Sequence, residues 1–159
     1  TEYGFLAGQI LFDAEDFESA EARLGSHLKD HPWHGESAMR LALIALGRQD
    51  AGPETLILAR TGAEYAKSSR AQALETLARV RLARDEVEEA RMALVRSVRS
   101  TNPSPGSLFL LARILSERGN VAESLQLLDQ SINSGSFAEI EEARTLRTQL
   151  RTQQEDGNS

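Results

Sequence analysis

Cysteine is absent from this chain of 159 residues. Disulfide frameworks, thiol catalysis and cysteine metal sites are therefore excluded, and either a reducing or an oxidising compartment is compatible. Aromatic residues make up only 5%, so a core must be built mainly from Leu, Ala, Val and Ile. No apolar run approaches the length that spans a bilayer, so no membrane insertion is expected. No secretory signal is visible, and the cytoplasm or the periplasm would suit such a chain. It opens on Thr1 rather than Met, which reads as a trimmed or excised piece. Basic residues are not in excess. The net charge is −6 with acids and bases interspersed, and a basic nucleic-acid footprint is missing. Strand signals are nearly absent too, with no sustained apolar–polar alternation and no Asn-Gly or Asp-Gly hairpin pair.

What the chain does have is helical periodicity. Apolar residues make up 40%. Leu74, Leu77, Ala78 and Leu82 lie at helical spacing, as do Val87, Ala90, Leu94 and Val98. Leu108, Leu111, Ala112 and Leu115 form the next set, then Val121, Leu125, Leu128 and Ile132. Breaks fall at Asp85-Glu86, Thr101 to Gly106, Gly119-Asn120 and Ser134 to Ser136. The pattern predicts helices of roughly 12–15 residues joined by short turns. Arginine far outnumbers lysine, which occurs only at Lys29 and Lys67. With abundant Ala and Leu, that composition points to a GC-rich bacterial genome.

The helices repeat. Leu77-Ala78 recurs as Leu111-Ala112, Val87 as Val121, Leu94 as Leu128 and Ser97-Val98 as Ser131-Ile132, each 34 positions on. Upstream the same columns hold Gly8, Phe17, Ala20 and Leu24, then Leu41-Ala42. Four units emerge, about 1–34, 35–70, 71–104 and 105–138. The second carries two extra residues, placed within Gly47 to Glu54 where Gly52-Pro53 interrupts. Its second helix, about Pro53 to Lys67, fits the pattern least well, and its register stays open. Gly8, Ala42, Ala78 and Ala112 form a small-residue column in the first helices. Glycine within a helix costs about 1 kcal/mol relative to alanine, so Gly8 predicts a close helix crossing. Ala20, Ala90 and Ser124 form a second small column in the partner helices. Two small columns flanked by Leu columns are what closely crossing helix pairs need. The tail reads as one more amphipathic helix, about 137–153. Phe137, Ile140, Ala143, Leu146 and Leu150 lie on one face, and 155–159 is expected to be a disordered tail.

A helix–turn–helix unit with a period of 34 resembles the tetratricopeptide repeat (TPR). In AGQILFDAEDFESAEARLGSHLKDHP, Gly8, Asp16-Phe17, Ala20, Leu24 and Pro32 stand where that family favours glycine, a turn plus aromatic, alanine, a large apolar residue and proline. The family's early Trp column holds Gly4, Ala38, Leu74 and Leu108 instead. The resemblance implies one all-α domain over 1–154. It would be an α-solenoid, a right-handed superhelix of antiparallel helix pairs, with four TPR-like repeats and a C-terminal capping helix.

Catalytic constellations are missing. There is no Gly-rich phosphate loop, no Gly-x-Ser-x-Gly elbow and no nucleophile with a convincing base, so no enzyme and no cofactor are expected. The acidic clusters Asp13 to Glu21, Glu86 to Glu89 and Glu139 to Glu142 read as solvated helix starts. His27, His31 and His34 sit close in HLKDHPWH, and His27 and His31 are one helical turn apart, a spacing that can grip zinc. Pro32 ends the helix before His34. The preferred reading is a half-buried His27 with the other two at a repeat junction beside Trp33, and no metal. The arginines Arg79, Arg81 and Arg84 are matched by Glu75 and Glu86, which fits intrahelical ion pairs.

In tetratricopeptide arrays the first helix of each unit lines a concave groove. Carried over by column, that groove would hold Phe5, Gln9 and Phe12, then Met39, Leu43 and Leu46, then Arg79 and Leu82, then Phe109 and Arg113. Such a surface is more apolar than a solvated face, and a contiguous exposed apolar patch marks a partner site. The expected function is a protein–protein interaction scaffold or adaptor. Its ligand would be a protein or peptide, an amphipathic or apolar segment, with apolar anchors supplying affinity and Arg79 and Arg113 orienting it. Two alternatives stand beside it. One is self-assembly into a homo-oligomer. The other is a sensory or regulatory domain of a larger bacterial protein, since residues 31–50 are similar to a stretch in bacterial transcriptional-activation domains. The C-terminal carboxylate clamp of some family members is not expected. Its positions hold Phe5, Gln9, Arg40, Gln72 and Thr76, of which only Arg40 is suited.

Overall fold

The computed structural model describes residues 2–157. These form nine helices and no strand. Helices α1 (Glu2–Asp13) and α2 (Phe17–Asp30) make the first pair, α3 (Gly35–Gly47) and α4 (Pro53–Tyr65) the second. The third pair is α5 (Arg70–Ala83) and α6 (Val87–Val98), and the fourth is α7 (Pro105–Glu117) and α8 (Val121–Asn133). The closing helix, expected over about 137–153, is α9 (Ile140–Gly157). The tail from Glu155, expected to be disordered, is helical as far as Gly157, and Asn158 and Ser159 lie outside the described residues. No helix among the described residues is long and apolar enough to cross a membrane.

The same turn closes the first helix of every pair. Glu15, Gln49, Asp85 and Gly119 adopt φ of 61°, 61°, 59° and 83°. The next residue's N–H then reaches back five positions: Asp16 to Leu11 O at 3.0 Å, and Asp50 to Ala45 O, Glu86 to Arg81 O and Asn120 to Leu115 O at 2.9 Å. A left-handed residue after the last turn satisfies carbonyls that a helix end otherwise orphans. Side chains cap several helix starts. Asp16 Oδ1 accepts from Ser19 N–H at 3.2 Å, and Ser104 Oγ accepts from Ser107 N–H at 3.3 Å. Pro53 and Pro105 open α4 and α7, where a missing N–H costs nothing.

The chain divides into two compact units, one up to Ala90 and one from Arg91. In the first, α1 packs on α2, α2 on α3, α3 on α4, α4 on α5, and α3 also on α5. This is the order of a stacked helix-pair array. Ala20, Leu24, Leu41 and Ile44 form one core cluster, with Phe5, Leu11 and Phe12 packed against it. Ala42, Ala59 and Val80 form another. Buried positions settle the register of α4. Ala20, Leu24 and His27 of α2 correspond to Thr55, Ala59 and Gly62 of α4, and to Ala90, Leu94 and Ser97 of α6. Thr55 lies 35 positions beyond Ala20, and Ala90 lies 35 beyond Thr55, against 34 from Ala90 to Ser124. One of the two extra residues therefore sits in the turn at Gly52-Pro53. The other falls after α4, not within Gly47 to Glu54 as expected.

The second unit holds the rest of α6 with α7, α8 and α9, where α7 packs on α8, α8 on α9 and α7 on α9. Leu108, Leu111, Ala112, Leu128, Ala143 and Leu150 are buried. Serines stitch this core. Ser124 Oγ donates to Ala112 O and Ser131 Oγ to Pro105 O, both at 2.7 Å. Ser97 and Ser107 hydroxyls meet at 2.7 Å. Ser124 fills the small column of Ala20 and Ala90, and each hydroxyl gives its polar atom a partner, as burial requires. Arg147 and Arg151 hold Asp129 at 3.1 Å, tying α9 to α8.

Candidate functional site

The first unit contains a cavity of about 990 Å³ at the junction of its first two pairs. Phe5, Leu6 and Gln9 of α1 line one side. The end of α2 and the following linker contribute His27, His31, Trp33 and His34, and α3 contributes Glu36 and Arg40. Spacing explains the grouping. Phe5 and Gln9, His27 and His31, and Glu36 and Arg40 are each one helical turn apart, so each pair points one way from its helix.

All three histidines of the chain meet here. The His27 ring lies 4.6 Å from His31 and 4.7 Å from His34, and Phe5 stacks 4.5 Å from His34. His34 has a local structural task. It caps α3, its Nδ1 accepting from Ser37 N–H at 3.2 Å, with the Ser37 hydroxyl at 2.9 Å. That bond assigns the neutral tautomer with its proton on Nε2. Among the described residues no group of three or more His, Asp or Glu is placed to hold a metal ion. Burial pushes His27 below the ordinary imidazole value, and the nearby His34 and His31 push it further. Burial lowers His34 as well, with Glu36 opposing. Only 7% of His27 is exposed, and its Nε2 is buried with no hydrogen-bond partner among the described residues.

Arg40 stands over the rings of Phe5 at 5.3 Å and Phe12 at 5.9 Å. One terminal nitrogen reaches Glu36 O at a long 3.4 Å, and the buried Nε has no partner. Burial lowers the pKa of this guanidinium, with Asp13 and Glu36 opposing. Glu36 is committed elsewhere. Its Oε1 accepts from Lys67 N–H at 2.9 Å, and from Ser68 N–H and the Ser68 hydroxyl at 3.2 Å. Burial alone would raise Glu36, but these bonds and one from its own backbone hold it below the ordinary carboxylate value.

The groove columns fare unequally. Phe5, Gln9, Phe12, Leu43, Leu46, Arg79 and Leu82 are half-buried in the first unit. Met39 is buried against Ala66 and Ala73. In the second unit Phe109 is buried, its ring 6.2 Å from Phe137, and half-buried Arg113 lies over it at 5.9 Å. Arg79 is paired with Glu75 at 2.7 Å. Of these columns only Met39 and Phe109 are withdrawn from the surface, and the others stay partly open to solvent. Exposed apolar side chains gather elsewhere on α1, where Tyr3, Leu6 and Ile10 are 84%, 50% and 67% exposed at helical spacing. The cavity itself went unread in the sequence. The histidine cluster was visible, and Phe5, Gln9 and Arg40 fell in one set of groove positions, but not that the two groups meet; the signal was the shared one-turn spacing on three helices.

Scanned against protein-family models the sequence finds no match, and no curated protein matches it either. Solved structures do match. MamA protein superposes with a TM-score of 0.66 at 16% identity, over 95% of this chain and 86% of that one. The pilF protein of Pseudomonas aeruginosa superposes with a TM-score of 0.54 at 14% identity, over 96% and 89%. Both are tetratricopeptide-repeat proteins. With the recurring left-handed turn and the repeating small columns, the likeness shows the fold of this chain to be an all-α array of tetratricopeptide-like helix pairs.

Proposed function

We propose that the chain is a protein-interaction module, non-enzymatic and without a cofactor, that holds a partner segment on the first helices of its pairs. The observation that carries this reading is the cavity at Phe5, His27 and Arg40. A large concave space with apolar walls and a few polar groups is the ordinary form of a binding site. Phe5, Gln9, Phe12, Leu43, Leu46 and Leu82 are the contact surface in the first unit, with Arg79 at its edge. Arg113 is the contact in the second, and buried Met39 and Phe109 support these surfaces from beneath. The partner is an amphipathic or apolar segment of another protein, docked in the helix-in-groove or extended manner.

Peptide display against the whole chain tests this. Selected segments should bind far more weakly to Gln9→Arg, which crowds the cavity wall. They should bind unchanged to Ile57→Arg, on the exposed side of α4. The reverse pattern would refute the reading. A second reading, self-association, is favoured by one observation, the exposed stripe Tyr3, Leu6 and Ile10. Light scattering should then give a mass above that of one chain, reverting in Tyr3→Lys/Ile10→Lys. A single-chain mass across the concentration range removes it.

A further inference from the structure

Resting on the self-association reading, we infer that two copies of this chain pair through α1, antiparallel about a two-fold axis beside Leu6. Tyr3 of each copy then lies against Ile10 of the other.

The face that carries Tyr3, Leu6 and Ile10 is a packing face in the later first helices. The column of Ile10 continues as Ile44, Val80 and Ile114, which are 3%, 0% and 3% exposed against 67% for Ile10. Ile44 shares a core cluster with Ala20 and Leu24 of the preceding pair, and Val80 shares one with Ala42 and Ala59 of its preceding pair. The column of Leu6 continues as half-buried Arg40, then as Thr76 and Leu110, both buried. In α3 and α5 these positions therefore meet the pair before, whereas α1 presents them to solvent. Exposed apolar side chains that join into one stripe mark a contact.

What covers the stripe follows from size and polarity. The column of Tyr3 continues as Ser37, Ala73 and Ser107, all fully buried. A further helix pair stacked in the regular way would meet tyrosine where the stack fits serine or alanine, and overpacking opposes that. Helix α9 of another copy is no match either. Its open face carries Glu141, Arg144, Thr145 and Thr148, and none of its described residues is an exposed large apolar one. The stripe on α1 matches itself. Tyr3 and Ile10 are two helical turns apart with Leu6 near the midpoint. An antiparallel second α1 sets Tyr3 over Ile10 twice and Leu6 over Leu6 once, the self-complementary contact of a two-fold, which closes at two copies. A helix of 12 residues offers a small interface, so the dimer forms in about the micromolar range. The net charge of −6 on each copy opposes pairing, and added salt should strengthen it.

The chain has no cysteine, so an introduced one reports alone. Under diamide, Leu6→Cys should form a disulfide-linked dimer about tenfold or more faster than Ile57→Cys, an exposed control on α4. Tyr3→Cys and Ile10→Cys should each stay unlinked alone and link when mixed. Sedimentation of the unaltered chain should show the mass rising with concentration from one chain to two and stopping there. A mass that grows past two chains overturns the two-fold pairing while self-association stands. So does a mass that rises while Leu6→Cys links no faster than the control. Tyr3→Cys linking to itself as fast as Leu6→Cys also overturns it, in favour of parallel helices. A single-chain mass at every concentration removes self-association itself, and this pairing with it.

Discussion

At Gly8 a single hydrogen in place of a methyl group decides whether α1 and α2 can meet. A Cβ built there would stand 2.7 Å from both Cγ and Cδ2 of Leu24, which is fully buried. Leu24 is packed in the core cluster with Ala20, Leu41 and Ile44, and its backbone N also lies 3.4 Å from that Cβ, so Gly8→Ala is expected to destabilise the first unit despite alanine's better helix propensity. The magnitude is that of overpacking a tight core, about 1–3 kcal/mol, measured as a shift in the urea midpoint at constant slope. Ala112 occupies the same column in α7, fully buried, with its carbonyl accepting from Ser124. Ala112→Leu is expected to cost about 1–3 kcal/mol in the second unit for the same reason, and an unchanged melting temperature would contradict the packing described. This column was legible in the sequence because size alone marks it, repeating at Gly8, Ala42, Ala78 and Ala112. The column of α4 was not. Ala59 stands where Leu24, Leu94 and Leu128 mark the core face in the other second helices, and a Cβ on Gly62 would lie 3.1 Å from Met39. The bulk has moved across to α3, so the pair is packed while the helix that lost its leucine shows little pattern. The same exchange explains why Met39 is buried rather than offered to a partner.

Among the elements, the turn after each first helix carries the clearest energetic signature. Four residues at equivalent positions share the left-handed conformation, and only one of them, Gly119, is a glycine. An L-residue held there costs about 1–2 kcal/mol, part of which glycine gives back as chain entropy on folding. Gln49→Gly is therefore expected to stabilise the first unit by about 0.5–1 kcal/mol, and Gly119→Ala to destabilise the second by a similar amount. Urea unfolding of both variants checks the pair, and two shifts of the same sign would count against the shared geometry. The turns were visible as breaks in periodicity, and the Gly119-Asn120 break was the plainest because its residue type advertises the conformation. Glu15, Gln49 and Asp85 do not advertise it; their conformation follows from the bonds that close each helix. The start of α3 is similar, in that its residue type does not advertise its role. His34 was placed at a repeat junction, and its task there, the cap position that Ser104 fills in α7, was not read.

For the molecule as a whole, the fold was legible because it is written many times over, while the candidate site is written once. Each repeat restates the same columns, so an irregular copy such as α4 is corrected by its neighbours. The cavity has no second copy, and it depends on side chains from two helix pairs converging, which no single column reveals. Its consequence for the molecule is a dependence on pH. His27 and His34 are held below the ordinary imidazole value of 6.5, first by burial. The unfolded chain, with histidines near that value, binds more protons than the folded one as the pH falls past it, and stability must then fall too. Around His27 stand His31 and His34, which oppose its protonation, and Asp30, which favours it. Around His34 stand His31 and Arg40, which oppose, and Glu36, which favours. Protonating His34 on Nδ1 would also remove the acceptor that caps α3. Glu36 acts in the same direction but in a lower range of pH. Held below its ordinary 4.5, it adds stability above that value, lost only at still lower pH. The histidine effect therefore has its own window, opening near 6.5 and separable from the acid range. Thermal unfolding of the unaltered chain is expected to move to lower temperature between about pH 7.5 and about pH 5.5. His34→Ser, which retains a hydroxyl cap like that of Ser104 without a titrating ring, is expected to lose less over the same interval. Equal losses in the two proteins would leave His27 as the sole source, and no loss in either would mean that the cluster takes up protons without strain.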